Sequence, residues 1–196
     1  MRTMRSLLIT VMVMSSFVLS AHDAERPMLS PAAVTIQRIG LTDITVTYHR
    51  PAVKGRKLWG GLVPYNEIWR AGANEATTIQ FSDDVRINGR KIAAGTYSFF
   101  IRPGSDTWEL ILNANARQWG SFFLDKSKNV LTLQVKPTLV PHQEWLLYTF
   151  TDLQIDSGKL EMRWGERAVG FTIYVDTFGK LAAENDQVVA FASEQL

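Results

Sequence analysis

The chain has no cysteine in its 196 residues. Disulfide staples, zinc–thiolate sites, a lipidated N-terminal cysteine and thiol nucleophiles are therefore excluded. It also lacks an excess of one charge. The 21 basic residues stand against 19 acidic ones, and Arg2 and Arg5 account for the difference. Global charge thus gives no reason to expect nucleic acid or an anionic membrane surface as a partner. Familiar catalytic signatures are missing too: there is no G-x-S-x-G, no phosphate-cradling Walker loop, no H-E-x-x-H and no G-x-G-x-x-G. The three histidines, His22, His49 and His142, show no ligand spacing, so neither a metal nor a cofactor is expected. The chain is nonetheless long enough to form a core without staples, since a domain of about 150 residues buries roughly 70% of its unfolded surface.

The long apolar run, residues 7–19, follows two arginines and ends in the small residues Ser20 and Ala21. That order is the pattern of a cleaved export signal. The run is shorter than the ~20 residues a membrane span needs. The expectation is a signal peptide over residues 1–21, cut after Ser20 or Ala21, with no integral membrane span after cleavage and a periplasmic or extracellular location. Residues 22–32, with Pro27 and Pro31, read as a leader, residues 33–175 as a β-rich domain and residues 176–196 as a tail.

Within the domain, period-two patterning dominates. Ile44, Val46 and Tyr48 alternate with Thr45, Thr47 and His49; Tyr97, Phe99 and Ile101 share one face, as do Trp108, Leu110 and Leu112. Asn88-Gly89 between short apolar runs predicts a two-residue type I′ hairpin, which needs positive φ at both positions. Further strands are predicted at residues 34–39, 77–81, 130–135, 144–153, 159–164 and 169–175, with tight turns at Ser157-Gly158 and Gly165-Glu166. Many short strands without intervening helices imply an all-β fold, an antiparallel β-sandwich or jelly-roll-like domain. The tail predicts a short helix or extension, capped by Asp176 or Thr177.

The chemistry-bearing segment is the irregular connection of residues 51–76 with its immediate flank. It mixes the cations Arg50, Lys54, Arg56 and Arg70 with Tyr65, Trp69, Asn74 and Glu75. Arginine offers a planar fork for carboxylate or phosphate, and aromatic rings offer a stacking face. Trp119 lies in a second polar loop. These residues form a candidate site for a small-molecule, carbohydrate or anionic ligand. The alternative is architectural: the same side chains pair backbone groups of a long crossover and cap the core, with Arg70 and Glu75 as a buried ion pair. Trp108 and Trp164 fall on apolar strand faces and are expected in the core, whereas Trp59, Trp69 and Trp119 occupy loops where exposure is expected.

Arg50-Pro51, Lys54-Gly55-Arg56, the segment from Gly61 to Tyr65, the segment from Trp69 to Thr77, Ala94-Gly95-Thr96-Tyr97-Ser98 and Gln118-Trp119-Gly120 together resemble domain-of-unknown-function family 2911. The resemblance implies an exported bacterial protein of Bacteroidetes type and carries over no catalytic residue. The leading reading is a non-enzymatic binding or accessory module. The alternatives are a hydrolase of uncharacterised type using Glu75 beside Arg70 and Tyr65, with Asp83, Asp84 or Glu67 as a second carboxylate, and a structural envelope protein.

Overall fold

The computed structural model describes residues 27–194 except 117 and 123, with no side chains described beyond residue 186. The expected export signal and residues 22–26 of the leader, His22 among them, lie outside the described residues. Ten strands and a C-terminal helix build two antiparallel sheets in a sandwich-like fold. Sheet one contains β1 (Ala32–Ile39), β2 (Thr42–His49), β3 (Thr78–Phe81), β6 (Gly95–Arg102), β7 (Trp108–Asn113) and β8 (Asn129–Val135), in that spatial order. Sheet two is ordered β5 (Arg90–Ile92), β4 (Val85–Ile87), β10 (Ser157–Val175), β9 (Thr138–Thr151). The helix α1 spans Thr177–Glu194. Asp176 caps it, its Oδ1 accepting from the Gly179 amide at 2.9 Å.

Alternation explains the core. Ile44, Val46 and Tyr48 of β2, Tyr97, Phe99 and Ile101 of β6 and Trp108, Leu110 and Leu112 of β7 all turn inward. They meet Leu160, Met162 and Trp164 of β10, and Leu146 and Tyr148 of β9. Fully burying each such side chain contributes about 1.5–3 kcal/mol. The open side between the sheets is tied where the Thr35 hydroxyl donates to the Tyr148 carbonyl at 3.2 Å.

Two expected turns are not turns. Ser157 and Gly158 open β10, and the reversal occupies residues 152–156 before them, starting at Asp152, whose φ is +53°. Gly165-Glu166 also lies within β10. The large buried apolar side chains of that strand sit at even positions up to Trp164 and at odd positions from Val169 onward, a change of phase. The strand absorbs it in irregularities flanking Gly165, where β9 carries the extra residues: Arg163 opposes Leu147, Gly165 opposes Gln143 and Arg167 opposes Leu139. Such bulges bend a strand without ending it. A straight strand of 19 residues would run about 60 Å, longer than a domain of this size is wide.

The hairpin at Asn88-Gly89 forms as predicted, with Ile87 opposite Arg90 and φ of +50° and +74° at the two turn residues. A Cβ at Gly89 would meet no heavy atom within 4 Å, so a side chain there costs backbone strain alone. Gly89→Val is expected to lose about 1–2 kcal/mol and Gly89→Asn much less, read from denaturant midpoints. Equal midpoints for the two variants would contradict the turn assignment.

Glu161 is buried on β10, yet it is held by Lys159 Nζ at 2.9 Å and Arg163 Nε at 2.6 Å. Burial alone would raise its carboxyl; the two cationic donors outweigh that and hold it below the usual range. A folded-state value below the unfolded one, near ~4.3, gives stability that is present above that pH and lost as pH falls through the folded value. Glu161→Gln should therefore narrow the stability gap between pH 7 and pH 3. An unchanged gap would show that the pair contributes nothing to acid sensitivity.

Candidate functional site

Residues 51–76 contain no regular element and join β2 to β3 by crossing an end of the sandwich through isolated bridges. The crossing is pinned at Ala71, which is wholly buried with φ +54°. Its carbonyl accepts from Tyr148 Oη at 2.8 Å and from Thr77 Oγ1 at 3.0 Å. Burial pushes the Tyr148 phenol well up, so it stays a donor. Gly72 is required for close approach: a Cβ there would meet Thr77 Oγ1 at 2.8 Å and the His49 carbonyl at 3.2 Å. Just upstream, Trp69 exchanges backbone hydrogen bonds with Ile101 of β6, at 2.8 and 2.9 Å. The connection thus extends sheet one where β3 stops.

The expectation for Trp59 and Trp69 is corrected by this path. Both are partly buried and packed on the core rather than displayed. Trp69 stacks on Trp164, with centroids 5.5 Å apart and planes 19° apart. Trp59 meets Trp108 at 4.3 Å and both other rings at 5.8 Å. The Trp69 indole N–H donates to the Gly72 carbonyl at 3.0 Å. Trp119 matches its expectation, being 58% exposed.

Over this tryptophan cluster lies a cavity of about 320 Å³. Lys54, Arg56, Trp69 and Arg70 line it, with Trp164 as a wall and Leu29 and Ser30 at its edge. No carboxylate and no imidazole belong to the described lining. Arg70 is half-buried, its Nε has no hydrogen-bond partner among the described residues, and desolvation lowers its pKa. The cavity is therefore a concave, net-cationic surface with an apolar floor.

The other candidate residues go elsewhere. Arg50 donates from Nε to the Leu146 carbonyl at 2.8 Å, tying the crossing to β9. Tyr65 lines an adjoining cavity of about 350 Å³ together with Arg56, Lys57, His142 and Arg167. Asn74, with φ +58°, donates to the Met28 sulfur at 3.1 Å. Glu75 forms a bridge with Trp119 and lies 3.4 Å from His49 Nδ1.

The expected Arg70–Glu75 ion pair is consequently absent among the described residues. Left-handed conformations at Ala71 and Asn74 turn the chain between them, so Glu75 is exposed on the His49 side. Asp83 and Asp84 lie beyond the other end of β3 from Glu75. Four strand residues at ~3.3 Å each already exceed the roughly 9.5 Å that bounds a glycosidase carboxylate pair. These two aspartates line a larger cavity of about 700 Å³ beside the start of α1. There Asp83 is paired with Lys180, and Asp84 with Lys91 at 2.7 Å, so that cavity's charges largely answer one another.

Sequence reasoning missed Tyr148, Thr77 and Ala71, whose roles depend on a contact spanning 77 residues of chain. It also missed Arg167, which lies at the end of an irregularity rather than in a polar motif.

Arg70 and Glu75 are expected to behave independently. In a cycle of Arg70→Ala, Glu75→Gln and the double variant, the stability changes should add within about 0.5 kcal/mol. A larger coupling energy would restore the ion pair.

No curated protein and no solved structure matches the chain. The family model described as protein of unknown function (DUF2911) matches residues 30–173, which takes in all but the last two residues of the sheets and every cavity-lining residue except Leu29, and the chain belongs to that family.

Proposed function

We propose that this protein is an exported, non-catalytic binding module that takes a small ligand bearing a carboxylate or phosphate in the cavity lined by Lys54, Arg56, Trp69 and Arg70. The observation that carries this reading is Arg70. A half-buried guanidinium with an unpartnered Nε has lost hydration without gaining a counter-charge among the described residues, and a bound anion supplies that charge. Arginine suits the task because its fork matches a carboxylate or phosphate bidentately. The apolar walls favour a ligand with a carbon body, as small-molecule sites commonly do. Binding is favoured over hydrolysis because the described lining holds neither a carboxylate nor an imidazole, while Glu75, the hydrolytic candidate, is not among the lining residues. Export rests on residues 1–21 and their charge pattern.

The test is thermal denaturation of the purified chain with inorganic phosphate, acetate and neutral sugars. A ligand specific to the folded state raises stability by mass action, about 2.7 kcal/mol at a hundredfold excess over Kd. An anion is expected to raise Tm, and Arg70→Ala to remove that shift while costing little stability on its own; Arg70→Lys should restore it only in part. A shift retained by Arg70→Ala, or seen only with neutral sugars, would overturn the reading.

A further inference from the structure

We infer that the ligand carries two anionic groups, the first in the Arg70 cavity and the second across Arg56 in the adjoining cavity, where Lys57 and Arg167 receive it. This rests on the reading of the Arg70 cavity as an anion site and adds the ligand's valence and shape. Arg56 lines both cavities, one of about 320 Å³ and one of about 350 Å³. It is held in place from behind: Nε donates to the Val53 carbonyl at 3.0 Å and Nη2 to the Ala52 carbonyl at 2.6 Å. A guanidinium has five N–H donors, so the remaining ones are left without a partner among the described residues. A fixed cation with spare donors on the ridge between two concavities is placed to be shared by one ligand.

The charge distribution agrees. Across the two linings stand Lys54, Arg56, Lys57, Arg70 and Arg167, against Glu166 as the one described carboxylate. His142, also in the second lining, lies 3.1 Å from Glu144 Oε2, and Glu144 further accepts the Lys54 amide at 2.9 Å. Elsewhere in the fold several cations are matched, Arg38 with Asp43, Lys91 with Asp84, and Lys159 and Arg163 with Glu161, while others such as Arg86 and Arg90 have no carboxylate partner among the described residues. The second cavity is also built rather than incidental. Gly165, with φ +59°, lets β10 bend over Leu58, whose Cδ1 would lie 2.8 Å from a Cβ there. Tyr65 lies against Gly60, where a Cβ would sit 2.6 Å from the ring. A single carboxylate can neutralise one concavity only. A tethered second group reaches the other at a high effective concentration when the tether matches the span.

The experiment is calorimetric titration of the full chain at fixed ionic strength with matched probes: acetate against succinate, glutarate and adipate, and inorganic phosphate against pyrophosphate. At least one two-headed probe is expected to bind tenfold or more tightly than its one-headed partner. Lys57→Ala with Arg167→Ala should abolish that gain while leaving one-headed binding within twofold, and Arg70→Ala should weaken both. A control removing two distant cations, Arg86→Ala with Arg90→Ala, should keep the gain. The inference is overturned if two-headed probes bind no more tightly, if the gain survives the Lys57/Arg167 variant, or if the distant control abolishes it equally. One-headed binding without the gain sinks this inference and leaves the single-cavity reading standing. No anion binding at all sinks both.

Discussion

Two hydroxyls meeting at the Ala71 carbonyl hold the long connection across the end of the sandwich. Tyr148 reaches it from β9 and Thr77 from the start of the next strand. A buried carbonyl left unpaired would cost roughly 1–3 kcal/mol, and the left-handed backbone at Ala71 is unfavourable for a residue with a Cβ. The arrangement persists because neighbouring contacts determine it: Tyr48 accepts the Tyr148 amide at 3.3 Å, and Gly72 leaves room for Thr77. Everything upstream inherits this anchor. With Ala71 fixed, Trp69 pairs with Ile101 and stacks on Trp164, and Arg70, between two fixed residues, is committed to the cavity.

Most strands were legible because one face is more buried than the other and a period of two admits one register. Ile44, Val46 and Tyr48 announce an inward face directly, and Asn88-Gly89 announces its own turn. Gly165 misled because a glycine between two alternating apolar runs suits either a turn or a bulge, and only the pairing partner decides between them. Residues 138–143 of β9, which supply the extra residues opposite Gly165, show no alternation that would reveal this.

The candidate site was legible in composition but not in arrangement. Lys54, Arg56, Trp69 and Arg70 belong to one polar–aromatic segment, and they share a cavity. Arg50, Asn74 and Glu75 belong to the same segment but serve backbone ties or face the other way. An irregular segment has no period from which side-chain direction can be inferred. The burial of Trp59 and Trp69 follows from long-range contacts with Trp108 and Trp164, which local sequence does not encode.

The architectural and ligand-binding readings of the connection are both physical, and the structure divides them between residues. Arg50 and Arg56 spend donors on the carbonyls of Leu146, Val53 and Ala52, which is what a long crossover requires of its side chains. Arg70 has no such partner among the described residues. Its charge is partly desolvated and unanswered, a condition that lowers the stability of the free protein and that selection for stability alone would remove by a shorter or neutral side chain. Local choices that conflict with the stability of a fold concentrate where a site must be kept ready for something else. The conflict at Arg70 arises beside Ala71, where two hydroxyls hold the backbone and so fix the point from which the guanidinium reaches the cavity. A rigid cation kept short of its counter-charge is preorganised, and preorganisation lowers the entropic cost of binding.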